Sequence, residues 1–169
     1  IVAVGTAKKI AAYIGPATEV VDLEGKLATP GLIDSHLHFT SIGQAKLSLD
    51  LTKARSWDDI VAMVAEAVKT AKPGEWITGR GWHQEKWDVR PEPNVNGLPL
   101  HDALSKVSPE NPVLLRHASG HSSLANAKAM ALAKITARTP NPAGGEIIKD
   151  AQGRPIGAFL ETAQGLVGA

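Results

Sequence analysis

The chain has 169 residues, of which 43% are hydrophobic and 21% are charged, a composition typical of a soluble globular protein with one core. Its formal net charge is +1, so neither a nucleic-acid partner nor an anionic membrane is expected. Cysteine is absent, which excludes disulfides, cysteine nucleophiles and thiolate metal sites, and no window approaches the ~20 apolar residues of a membrane span. We expect a cytoplasmic protein.

Short apolar runs separated by turn residues characterise residues 1–29. The runs at 1–4, 10–14 and 19–23 each predict a β-strand, and Gly-Pro and Glu-Gly dipeptides predict the turns that follow the second and third runs. We predict that residues 1–29 consist of short β-strands.

From residue 30 onwards, predicted strands alternate with predicted helices. Strands are expected at 32–34, 76–81 and 112–116, and helices at 56–71, 100–106 and 122–133, with Ser56 and Ser122 as N-caps. This alternation predicts βαβ units and a parallel sheet. Two short runs, 146–149 and 155–159, predict a β-hairpin inserted near 144–160. The predicted class is therefore α/β, and residues 30–169 are expected to form about three units of an incomplete (β/α)₈ TIM barrel, which needs ~250 residues to close.

One motif carries a chemical signal, the segment from Asp34 to His38 that follows the first predicted barrel strand. Alternate side chains of a strand share one face, so His36 and His38 can reach one ion together, and imidazole is a common ligand of zinc and related metals. Asp34 has the same parity and can orient an imidazole through its second nitrogen. The alternative is that two histidines flank a leucine on a surface strand by chance.

The wider context favours the metal site. Residues 30–38 read PGLIDSHLH, which resembles the signature of the amidohydrolase superfamily. Further short motifs resemble its YtcJ-like or amidohydrolase 3 group, which includes N-substituted formamide deformylases; they are 79–82 with Trp87, 120–122 with Asn126, and 144–147 followed by Glu161. The resemblance implies a metal-bearing barrel preceded by a small N-terminal β-domain of the sandwich type, to which residues 1–29 would belong. It also implies that the remaining metal-site histidines and a catalytic aspartate belong to later strands, which this chain does not contain.

Further site residues follow from the resemblance. Glu161 is expected to contact the metal as a carboxylate ligand, or alternatively to be an acid that interacts with a helix dipole. His121 is expected to line the pocket and to hydrogen-bond the substrate or transition state, with a helix cap as its alternative role. His117 is left without an assigned role.

Side chains that follow the second and third predicted strands are candidates for contact with substrate. Trp82 and His83 are expected to wall a pocket, together with Trp87, for which packing is an equally good interpretation. Arg80 and Arg116 end apolar strands and can bind a substrate carboxylate, although salt bridges at the end of the barrel explain them as well.

The predicted function is metal-dependent hydrolysis of C–N bonds in amide-like, non-peptide small molecules, with one or two divalent ions, zinc by preference, held by His36, His38 and Glu161. Asp34 and His121 are the candidate catalytic residues. The chain alone is expected to be inactive. Two alternatives stay open: a non-catalytic metal-binding fragment, and a deaminase or ester hydrolase, including a phosphotriesterase, on the same fold. An open sheet edge makes a homo-oligomer an expectation too.

Overall fold

The structure is a computed structural model that describes residues 1–168. The chain divides into two compact units, Ile1–Leu37 and His38–Ala169. The predicted barrel portion ends at Ala169, which lies outside the described residues. No helix within residues 1–168 is long and apolar enough to cross a membrane.

The first unit contains helical turns where strands were predicted. Helix α1 spans Ala7–Ile10, a 3₁₀ turn follows at Ala11–Tyr13, and residues 1–37 contain no strand. The predictions of strands at 1–4, 10–14, 19–23 and 32–34 were therefore wrong, and no β-sandwich is observed in this unit. A strand needs a neighbour that pairs with its backbone N–H and C=O groups. No such pairing forms within residues 1–37. As a result Val20 and Val21 remain 65% and 69% exposed.

The second unit is built on a six-stranded mixed sheet. Its strand order is β1-β2-β5-β6-β8-β7, and a separate two-stranded ribbon joins β3 to β4. The strands are β1 Leu49–Asp50, β2 Ile77–Trp82, β3 Asn94–Val95, β4 Leu98–Pro99, β5 Val113–His117, β6 Ser122–Ala125, β7 Gly145–Lys149 and β8 Pro155–Glu161. The helices are α2 Phe39–Ala45, α3 Trp57–Val68, α4 Asp102–Val107 and α5 Ala127–Leu132, and short 3₁₀ turns cover Leu51–Lys53, Gln84–Lys86 and Thr162–Leu166.

The sheet combines two kinds of pairing. β1, β2 and β5 are parallel neighbours, as the alternation of strands and helices predicted. β5, β6, β8 and β7 are antiparallel neighbours, and the pair β7–β8 is the predicted hairpin. The hairpin is therefore an integral part of the main sheet. The described residues form an open sheet, and the incomplete barrel stays a prediction.

Helix α3 confirms its predicted start. The Ser56 hydroxyl accepts a hydrogen bond from the Asp59 backbone N–H, which caps the helix as predicted. Ile60 and Val64 are fully buried against the sheet, and the helix ends at Val68, three residues earlier than expected.

The helix predicted at 122–133 was wrong at its N-terminal end. Residues Ser122–Ala125 form β6, all four are buried, and they pair with both β5 and β8. Helix α5 begins only after Asn126, whose side chain accepts from the Ala129 backbone N–H. Sheet pairing on both sides therefore outweighs the high helix propensity of this Ala- and Leu-rich segment.

The core has two parts, one on each face of the sheet. Val113 and Leu115 belong to a cluster with α3 and α4, whereas Leu114 belongs to a second cluster with α5 and Phe159. This assignment follows from the alternation of side chains along β5.

A bulge at Gly81 changes the alternation of side chains along β2. Gly81 has a φ of +105°, and the register with β5 shifts between Arg80 and Trp82. Arg80 precedes the shift and is exposed, whereas the shift turns Trp82 into the core beside Leu115.

Candidate active site

The Asp34 to His38 motif is not on a strand. The Asp34 carboxylate accepts a hydrogen bond from the backbone N–H of His36 at 3.0 Å, an Asx-type turn. Asp34 therefore orders the main chain at His36, whereas we had predicted that it orients an imidazole. His38 is the N-cap residue of α2. The argument that alternate strand residues share a face consequently does not apply to His36 and His38 here.

A complete metal-binding group is not assembled among the described residues. Within residues 1–168, no three His, Cys, Asp or Glu side chains lie together in an arrangement that could hold a metal ion. The donor types of His36, His38 and Glu161 suit a divalent metal such as zinc, but this arrangement does not gather a full ligand set. Their metal role stays a prediction.

His121 and Glu161 lie together, 40 residues apart in the chain. His121 Nδ1 is 3.0 Å from Glu161 Oε2, and the Glu161 backbone N–H donates to the His121 carbonyl at 2.9 Å. The antiparallel pairing of β6 with β8 produces this contact, because His121 immediately precedes β6 and Glu161 ends β8. The alternative role of His121 as a helix cap was wrong, because no helix begins at Ser122. Glu161 is the N-cap residue of the 3₁₀ turn Thr162–Leu166 without a capping hydrogen bond from its side chain, and its interaction with a helix dipole stays a prediction.

A cleft of about 370 Å³ opens beside this pair. Its lining includes His117, Ser119, His121, Glu146 and Glu161, so two imidazoles and two carboxylates face one space. Such a cleft can exchange protons with a ligand and hydrogen-bond its polar groups.

His117 forms the buried wall of this cleft. It is 7% exposed, and its Nδ1 lies 2.7 Å from Ser119 Oγ. Burial lowers the pKa of His117, and the nearby rings of His83 and His121 lower it further. His117 is therefore neutral at pH 7, and its buried Nε2 has no hydrogen-bond partner among the described residues.

Trp82 belongs to the core and not to the wall of a pocket. It is 1% exposed, its indole N–H donates to the Leu115 carbonyl at 3.0 Å, and its ring meets that of His117 edge-on at 4.5 Å. In this arrangement the ring cannot contact a substrate, contrary to expectation. Trp87 packs against it at 6.2 Å, in line with the packing interpretation. His83 is only partly buried, and its ring centroid lies 4.6 Å from that of His117.

Arg80 and Arg116 line a second cleft of about 580 Å³. Thr78, on the same strand as Arg80, and the α2 residues Ser41 and Gln44 line it as well. Neither arginine forms an ion pair within residues 1–168, so the salt bridges considered for them are not observed. Both arginines thus keep side chains that a substrate can reach, and their role in binding it stays a prediction.

The architecture resembles that of metal-dependent hydrolases. The crystal structure of an uncharacterized metal-dependent hydrolase from Pyrococcus horikoshii OT3 superposes with a TM-score of 0.53 and 26% identity, over 95% of this chain and 27% of that chain. The chain therefore shares its fold with a part of this metal-dependent hydrolase.

The sequence comparison is more specific. The amidohydrolase family Amidohydro_3 matches residues 19–169, and the chain belongs to this family. It is 36% identical to the putative amidohydrolase YtcJ of Bacillus subtilis over 92% of this chain and 28% of that protein. It is 34% identical to the N-substituted formamide deformylase of Arthrobacter pascens over 97% of this chain and 30% of that protein. The chain thus spans less than a third of these relatives, and the predicted YtcJ-like group is confirmed.

Proposed function

We propose that the chain is part of an enzyme that hydrolyses C–N bonds of amide-like, non-peptide small molecules. The observation that carries the proposal is the Asp34 to His38 motif, which lies inside the family match at 19–169. The similarity to an N-substituted formamide deformylase supports the C–N bond as the target. A bound divalent metal, zinc by preference and one or two ions, would polarise the substrate carbonyl and activate water.

The roles of the chain's own residues follow from their chemistry. His36 and His38 would supply imidazole ligands to the metal, and Glu161 would supply a carboxylate ligand. His121 holds the Glu161 carboxylate at 3.0 Å and can hydrogen-bond a substrate in the adjoining cleft. Arg116 and His83 contact the substrate from neighbouring strand ends.

The chain by itself is expected to be catalytically inactive. No three potential ligands converge within residues 1–168, so the water-activating site would need donors that this part of the structure does not provide. Turnover of an N-substituted formamide by the 169-residue chain, dependent on added zinc and abolished by a chelator, would contradict this expectation.

Metal binding provides the direct test of the proposal. We expect the chain, equilibrated with zinc and freed of excess ion, to retain metal that is lost in the double variant His36→Ala/His38→Ala. His101→Ala is the matched control, because His101 contacts Ser105 and lies outside the proposed site. Metal content measured by mass spectrometry should fall only in the double variant. Equal metal content in all three proteins would overturn the assignment of His36 and His38.

A further inference from the structure

We propose that the cleft lined by α2, β2 and β5 is an oxyanion-binding site, in which Arg80 and Arg116 together hold a carboxylate or phosphate group of a ligand. Anion binding requires neither a metal nor bond cleavage. The inference therefore goes beyond the proposed hydrolysis and can fail or succeed independently of it.

The strand register places the two arginines side by side. Arg80 and Arg116 are Cα partners on the parallel strands β2 and β5, which in a sheet lie about 4.8 Å apart. Both are exposed in strands whose other residues are mostly buried. Thr78 precedes Arg80 by two residues and lines the same cleft. The two side chains therefore leave the sheet at the same level and on the same face.

The charge of the cleft is uncompensated. Its polar lining, apart from the two arginines, consists of neutral hydroxyl and amide side chains, namely Ser41, Gln44, Ser48 and Thr78, and no carboxylate lines it. Like charges directly opposite each other on neighbouring strands destabilise a sheet. An anion held between the two guanidinium groups would remove this repulsion.

Asp50 is the acidic residue that register brings nearest, because it is the Cα partner of Arg80 on β1. Its carboxylate already accepts from the Thr52 hydroxyl at 2.6 Å and from the Thr52 backbone N–H at 3.1 Å. Asp50 lines the adjoining cleft, which Arg80 shares, and forms no ion pair with either arginine among the described residues. Asp50 therefore leaves both positive charges available to a ligand.

The side chains that line the cleft are suited to binding an oxyanion. A guanidinium group is planar, carries five donors and binds carboxylate or phosphate oxygens in pairs. The hydroxyl groups of Ser41 and Thr78 can supply further donors for the same oxygens, whereas the Ser48 hydroxyl donates to the Ala45 carbonyl.

The test titrates the chain separately with inorganic phosphate and with succinate, at constant ionic strength set by chloride. The Nε–Hε signals of arginine are followed by NMR. We expect saturable shifts at Arg80 and Arg116, and about a tenfold or greater weakening of binding in Arg116→Gln. Arg138→Gln is the matched control, because Arg138 is exposed outside the cleft and the variant loses the same charge. The probe that binds more tightly identifies phosphate or carboxylate as the preferred group.

Two outcomes would overturn the proposal. One is the absence of saturable shifts at both arginines with both probes. The other is an equal weakening of binding in Arg138→Gln, which would indicate unspecific charge attraction.

Thermal unfolding supplies a second readout, with Arg80→Gln as an additional variant. Because each variant removes the repulsion, Arg80→Gln and Arg116→Gln are expected to unfold at a higher temperature than the unaltered chain in buffer free of both probes. They should also lose the rise in unfolding temperature that phosphate or succinate produces. A lower unfolding temperature for both variants in probe-free buffer would contradict the proposal.

Discussion

Similar sequence patterns adopt different structures in the two units of the chain. In Ile1–Leu37 the apolar run at 19–23 remains in irregular structure, and no residue of this unit is buried. In His38–Ala169 the comparable run at 76–81 becomes β2, which is paired on both sides by β1 and β5 and covered by α3. The comparison teaches that an apolar run bounded by turns becomes a strand only where neighbours pair with its backbone and cover its face.

The candidate site residues are divided between the two units. Asp34 and His36 belong to the unit without buried residues, whereas His121 and Glu161 are positioned by paired strands of the second unit. Residues 34–37 of the most specific motif in the sequence thus lie in the unit that has no buried residue.

The largest effect is expected from a truncation in the core. Phe159 is fully buried between β6 and β7, and Phe159→Ala should lower the free energy of unfolding by about 3–5 kcal/mol because it removes apolar contact and leaves a cavity. Leu32→Ala, in the first unit, should change it by less than about 0.5 kcal/mol because Leu32 is 100% exposed. Denaturant unfolding of both variants measures the difference. A similar loss in both would mean that Leu32 is covered in solution.

The second effect concerns a buried hydrogen-bond network. Asn126 is 0% exposed, and its side chain accepts from the backbone N–H groups of Val113 and Ala129 and donates to Ser108 and Asn111. Asn126→Ala should lower the free energy of unfolding by about 2–3 kcal/mol, because it leaves buried donors and acceptors without partners.

The control for Asn126→Ala is a substitution in a turn of the first unit. The exposed carboxylate of Asp22 accepts from the Glu24 backbone N–H at 2.8 Å, and water can replace it when it is removed. Asp22→Ala should therefore change the free energy of unfolding by less than about 0.5 kcal/mol in the same denaturant assay. If Asn126→Ala proved equally mild, the network would contribute little to stability.

The elements that could be predicted from the sequence are those determined locally. The cap at Ser56 and the apolar periodicity of α3 lie within one helix, and turn residues bracket the hairpin of β7 and β8. Strand β6 could not be predicted, because Ser-Ser-Leu-Ala has weak strand propensity and becomes a strand through pairing with β5 and β8.

For the candidate site, too, single residues could be predicted from the sequence, whereas contacts between distant residues could not. The sequence identified His121, Glu161 and Arg116 as individual residues from motifs and strand ends. It could not show that His121 meets Glu161, or that Arg80 stands beside Arg116, because both contacts depend on strand order and register. The burial of Trp82 was missed because it results from the bulge at Gly81, which shifts the alternation of side chains by one residue.

A third, smaller effect is expected from helix capping. Ser56→Ala should lower the free energy of unfolding by about 1 kcal/mol, because the Asp59 backbone N–H loses its acceptor. Thr6 precedes α1 in the first unit, and its side chain makes no capping hydrogen bond, so Thr6→Ala should change stability by less than about 0.5 kcal/mol. Thermal and denaturant unfolding of the two variants check the prediction. A larger loss for Thr6→Ala would reverse the order expected for the two units.

The smallest effect should appear in the pH dependence of stability, and it too depends on burial. The pKa of His117 lies below its ordinary value of 6.5 because the ring is buried and lies near His83 and His121. The unfolded chain consequently takes up a proton at His117 at a higher pH than the folded chain does. The contribution of His117 to stability is present above about pH 6.5 and declines as the pH falls from there towards the pKa of the folded state. In His117→Asn the decline between about pH 7.5 and 5 should be shallower, whereas His101→Asn should keep the slope of the unaltered chain. Denaturant unfolding at a series of pH values measures these slopes, and identical slopes for His117→Asn and the unaltered chain would show that His117 is hydrated in solution.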